Sequence, residues 1–169
     1  MDLDPIFKWL THTGIATTIH ENEALFPWIE SLHVLAITLV IGSIAIVDLR
    51  LLGLASLDRA VQRVTADVLP CTWAAFAVAL LSGAALFSSN AVNYAHNTAF
   101  QGKMVLLLLA GINMGIFHIG AGRRIGDWAA RAPTPPAAKV AAACSLILWV
   151  GVVGFGRWIG FTLQPTLGS

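Results

Sequence analysis

A chain of 169 residues that is 57% hydrophobic and only 11% charged carries about half the charge of a soluble domain of its size. Its formal net charge of +1 gives no basic footprint for nucleic acid. The mean hydropathy is +0.76, and the apolar residues gather into runs long enough to cross a bilayer, which takes about 20 residues. A soluble globular domain is excluded, and the whole chain, 1–169, reads as one membrane domain.

Residues 4–19 mix Ile6, Phe7, Trp9, Leu10 and Ile15 with polar groups. With Asp4 as cap and Pro5 in the first turn, they predict a helix lying at the membrane surface. Asp2 and Asp4 without a basic n-region argue against a cleavable signal peptide. A polar break at His20-Glu21-Asn22-Glu23 follows.

Four membrane helices are predicted at about 27–50, 69–88, 100–119 and 140–161. An amphipathic connector, 56–68, joins the first two, and a polar loop, 90–97, joins the second to the third. The stretch 120–139 is rich in Arg, Pro and Ala, and its Thr-Pro-Pro cannot be helical. The fold class is therefore all-α: an up-down four-helix membrane bundle preceded by an interfacial helix. Gly111 and Gly115 on the third helix, and Gly151, Gly154, Gly156 and Gly160 on the fourth, allow close helix packing or room for a flat cofactor.

Polar side chains within the bilayer are costly and call for an explanation. They are Glu30, His33 and Asp48 on the first helix, Lys103, Asn113 and His118 on the third, and Arg157 on the fourth. Helical spacing puts Glu30, His33 and Asp48 on one face. It also puts Lys103, Met104, Leu107, Gly111, Met114 and His118 on one stripe, and both faces are expected to turn inward. His33 lies about 9 Å below the surface near Pro27, whereas His118 lies at least about 22 Å from that surface. Two axial ligands of one haem need similar depth, so Met104, His96 or His20 are the candidates to complete coordination with His33. Cys71 and Cys144 lie near the depth of His118, and a His/Cys/Cys set suits a soft metal. Buried cysteines in apolar helices are more often packing residues.

His12, His20, His33 and His96 gather towards one membrane face with Glu21, Glu23 and Glu30. Lys103 and Arg157 stand at the same level, where they would neutralise haem propionates. Imidazoles equally suit copper. The plainer alternative is that Glu30 pairs with Lys103 or Arg157 while His33 bonds a backbone carbonyl.

The stretch Pro27 to Gly53 resembles a family of uncharacterised bacterial four-helix membrane proteins. It carries W-x-E-x-x-H at Trp28, Glu30 and His33, a mid-helix glycine, and D-L-R-L-L-G from Asp48 to Gly53. Pro70, Trp73, Lys103, Asn113, Phe117 and His118 fit the same pattern. More distantly, an acid, then a histidine, then a glycine early in the first helix is similar to copper-resistance D-type proteins. It also resembles the haem-binding membrane protoporphyrinogen oxidases. Both likenesses imply a central role for His33.

Three functions follow as expectations. The first is a b-type haem protein moving electrons between the membrane and a periplasmic partner, with His33 as ligand, His118 next, and Glu30 holding the His33 ring. The second is a copper- or metal-handling protein using His20, His33, His96 and His118. The third is an accessory subunit of a larger membrane complex, or of a homo-oligomer. No nucleotide motif or nucleophile elbow appears, and little extramembrane mass is left to shape a substrate pocket, which weighs against a stand-alone enzyme.

Seven basic residues (Arg50, Arg59, Arg63, Arg123, Arg124, Arg131 and Lys139) fall on the connector side, against Lys8, Lys103 and Arg157 on the other. The positive-inside rule then places both termini in the periplasm of a bacterial inner membrane. A reporter fused after Ser169 should show periplasmic activity; cytoplasmic activity would reverse the orientation and carry His96 inside.

Overall fold

The computed structural model describes residues 4–56, 58–123 and 134–163. Among them the chain forms seven helices and no strand. The surface segment is two short helices, α1 (Asp4–Thr11) and α2 (Gly14–Glu21), where one had been expected. The break has a local cause. Thr11 and Thr13 turn their hydroxyls onto the carbonyls of Lys8 and Leu10 at 2.8 Å, and Thr13 is extended. Side chains of this kind draw backbone groups out of a continuing helix.

Four long helices follow: α3 (Leu25–Leu52), α4 (Val61–Ser89), α6 (Thr98–Ile119) and α7 (Pro136–Thr162), with the short α5 (Ala91–His96) between α4 and α6. Each long helix is of a length and composition that can cross a membrane, and the chain is a multi-pass membrane protein. α4 begins at Val61, so much of the expected connector is a continuation of the spanning helix, which runs on through Pro70. The expected loop at 90–97 is largely α5.

α3 packs on both α4 and α7, and α6 packs on α7. No close backbone approach joins α4 to α6. The helices are therefore arranged in the order α4, α3, α7, α6. Where the termini lie, aromatic rings bridge the open side: Phe87 of α4 stacks on Phe100 of α6 at 5.3 Å, and Tyr94 of α5 and Phe7 of α1 join them. Such pairs each add about 0.5–1.5 kcal/mol beyond their burial.

Between α6 and α7, glycines admit large neighbours. Phe155 lies against Gly102, Leu106 against Gly151, and the Lys103 chain against Gly156. Gly111, Gly115, Gly154 and Gly160 meet no such neighbour, so of the Gly-x-x-x-Gly pairs 111/115 and 156/160 only Gly156 takes part in the close approach.

The D-L-R-L-L-G segment closes the opposite, connector end. Leu51 packs with Val61, Ala138 and Ala142, and Phe117 lies against that cluster. Arg50 is buried and its Nε donates to the Arg59 carbonyl at 2.8 Å. Gly53 ends α3 at φ +81°, where its N–H and those of Leu54 and Ala55 cap the last turn. No atom crowds the space a Cβ would take there, so the demand is on the backbone alone. Gly53→Ala should therefore lower stability by about 1 kcal/mol, seen as a drop in Tm, and Gly53→Asn should lose less. An unchanged Tm in Gly53→Ala would show that this cap is not needed.

Candidate functional site

The inward stripe of α4 follows a heptad: Val61, Thr65, Val68, Thr72, Ala75, Ala79 and Ser82 are all buried or half-buried. It faces Ala36, Val40 and Ser43 of α3, which are buried, and His33, which is half-buried. The small and hydroxyl-bearing residues of this seam decide how His33 is held.

The His33 Nδ1 lies 3.0 Å from the Ser82 Oγ. Ser82 has one proton, and its hydroxyl donates it to the Val78 carbonyl at 2.6 Å. Ser82 is left to accept, so His33 is the donor and carries its proton on Nδ1. The Nε2 then keeps its lone pair. Gly83 makes the position possible: a Cβ there would stand 2.8 Å from the His33 Cε1. On α6, half-buried Lys103 reaches over Gly156 and is close enough to act on His33 electrostatically. Four helices thus contribute to one level of the bundle: His33, Ser82 with Gly83, Lys103, and Gly156.

The other candidates are placed differently. Glu30 is exposed and is not the group that holds the His33 ring; Ser82 is. Its charge is felt instead by Tyr94, whose phenol is pushed up from the usual range by burial and then by the Glu30 carboxylate. Tyr94 accordingly stays protonated as a donor at the terminal end. Arg157 is exposed and lies over the Phe161 ring of its own helix at 5.6 Å. His96 is bound through Nε2 to Asp4 of α1 at 2.9 Å, and His20 is exposed on α2. Met104 is 39% exposed on the outer side of α6. His118 is exposed at the connector end, with Nδ1 donating to its own helix at the Met114 carbonyl, 2.9 Å away. Cys71 and Cys144 also face outward and do not converge with it. Among the described residues, no three His, Cys, Asp or Glu side chains meet in a metal-ligand cluster.

Residues 10–162 match the model of DUF6644, a family of unknown function. The chain belongs to that family. Comparison with curated proteins and with solved structures gives no match.

In this DUF6644 chain the expected stripe on α6 needs a correction. Lys103 and Leu107 do turn inward, but Leu106, Ala110, Asn113 and Phe117 complete the face, while Met104, Gly111, Met114 and His118 do not share it. Two contacts set the phase: Asn113 Nδ2 donates to the Ala141 carbonyl of α7 at 2.9 Å, and Phe117 packs at the connector-end core. Lys103 to Phe117 is fourteen residues, two heptads, and a left-handed bundle seam follows heptads. Reading the stripe towards His118 puts it one residue out of phase.

Sequence reasoning passed over Ser82 and Gly83. The signal was present as the α4 heptad of Thr65, Thr72 and Ser82 among small residues, but hydroxyls can bond within their own helix and so attract less notice than charges.

The fit of Gly83 to His33 can be tested without reference to any cofactor. Gly83→Ala should destabilise the protein by about 1–3 kcal/mol through overpacking. Adding His33→Ala should recover much of that loss, since the clash is with the ring. Additive losses in the double variant would show that the two residues do not press on one another.

Proposed function

We propose that this protein is a b-type haem protein of the membrane that passes electrons between the bilayer and a protein partner at its terminal, periplasmic face. The observation that carries the reading is His33, an imidazole inside the bundle with its Nδ1–H engaged by Ser82 and its Nε2 lone pair uncommitted. Haem iron takes a neutral imidazole as axial ligand and, when bound, supplies a one-electron couple whose potential depends on axial ligand and burial.

The residues around His33 suit that group. Ser82 fixes the tautomer and the ring direction, the task that outer partners perform for metal-bound histidines. Gly83 keeps a side chain away from the ring. Lys103 brings a positive charge to the same level, suited to a propionate. The likeness of the helix-one histidine to those of copper-resistance D-type proteins and membrane protoporphyrinogen oxidases agrees with a ligand role. Met104, His20, His96 and His118 lie elsewhere, so His33 is the one axial ligand this reading assigns. A copper site built from several histidines finds less support, since His96 is engaged with Asp4 and His118 with its own helix.

The purified protein, reduced minus oxidised, should give the sharp visible bands of a b-type haem. His33→Ala should abolish them while the protein still inserts, and Ser82→Ala should lower haem affinity about tenfold. A wild type free of haem when haem supply is ample, or a His33→Ala variant with an unchanged spectrum, would reject the reading and leave the accessory-subunit function ahead.

A further inference from the structure

Two buried side-chain atoms among the described residues have no hydrogen-bond partner: Asp48 Oδ2 and Thr65 Oγ1. They belong to one level of the bundle. α3 and α4 are cross-linked at His33 to Ser82, 3.0 Å, and again at Thr72 to Ser43, 2.9 Å. Ten residues separate the links on each helix, so the pair is antiparallel and in step. Asp48 lies five residues past Ser43 and therefore stands level with the part of α4 about five residues before Thr72. Thr65 and Val68 of the inward stripe flank that position. From the third side, Ser145 of α7 hydrogen-bonds the Asp48 carboxyl.

Asp48 is only 6% exposed, and a bare carboxylate there is among the costliest groups a bilayer protein can hold. No ion pair to it is present among the described residues. Arg50, two residues on, donates to the Arg59 carbonyl, and Arg59 pairs with Asp67. Asp58 of the connector, Arg63 of α4, His118 of α6, Arg123 beyond it and Lys139 of α7 are all exposed. The surroundings otherwise are apolar: Val61, Val64, Leu51 and Ala142 are buried nearby.

We infer that Asp48, Thr65 and Ser145 form a binding site for one monovalent cation in the connector half of the bundle. One carboxylate balances one positive charge, and a divalent ion would leave a net charge buried. The donors are all hard oxygens, the set suited to an alkali ion rather than to a soft transition metal. A proton is the smallest member of the class, and on Oδ2 it would neutralise the buried carboxylate. None of this depends on the reading of His33.

The test is thermal unfolding of the intact, detergent-purified protein in sodium, potassium and choline chloride at equal ionic strength. Wild type is compared with Asp48→Asn at about pH 5 and pH 8. For an alkali ion, wild-type Tm rises by about 4 °C for each tenfold increase in the ion above its Kd, and Asp48→Asn does not respond. For a proton, the advantage of wild type over Asp48→Asn shrinks as pH rises, whatever the salt. A protonated buried acid stabilises at low pH, and that stability is lost as pH passes through its folded pKa. Should Asp48→Asn fail to fold, Thr65→Val keeps the carboxyl and should weaken the same dependence. A wild-type-to-variant difference that is constant across salts and pH overturns the inference.

Discussion

Within a bilayer a neighbouring helix is no more apolar than a lipid tail, so close packing and interhelical hydrogen bonds must hold helices together. The seam between α3 and α4 meets that demand. Ser43 to Thr72 and His33 to Ser82 cross it, while Ala36, Val40 and Ala75 are buried along it. Such bonds are individually modest, about 0.6 kcal/mol on average in one measured bundle, but two of them set the register. With register fixed, the depth of His33, the level of Asp48 and the meeting of Leu51 with Val61 all follow.

α7 and α6 are attached to that seam in turn. Ser145 and the alanines of α7 bring it to α3, and three glycine contacts bring α6 to α7. α4 and α6, at the two ends of this series, meet mainly through the rings of Phe87 and Phe100. The side of the bundle between them is the least closely packed, and Lys103 and His33 are brought to that level from opposite helices.

Much of the fold was legible because bilayer crossing requires length and apolarity, both of which are written in order along the chain. α3 is readable as one helix since Glu30, Asp48 and Arg50 are its only formally charged residues over 28 positions. Helix ends were less legible: nothing in the hydropathy of residues 61–68 separates a surface connector from the first turns of α4. The expected start near 69 is overrun, since the backbone carries Pro70 within the helix. The site was legible in part. His33 stands out as a polar group in an apolar run, but its partner is a serine 49 residues away, and only the register of two helices joins them. The facing of α6 was out of phase for a related reason, since Asn113 and Phe117, rather than the conspicuous His118, are the residues that touch other helices.

The attachment of α1 bears on how the molecule is built in time. Its bond from Asp4 to His96 joins positions 92 residues apart, and Phe7 reaches Phe87 on the same side. During synthesis from the N-terminus, neither partner exists until α3 and nearly all of α4 have been made. α1 therefore waits for these contacts until α5 has been made, before α6 and α7 have found theirs. Until then Phe7 lacks the ring it packs on, and the completion of α5 is the moment at which Asp4 can find His96 and hold α1 in place. Ile6 and Trp9 stay exposed in the finished fold, free to rest on a membrane surface throughout.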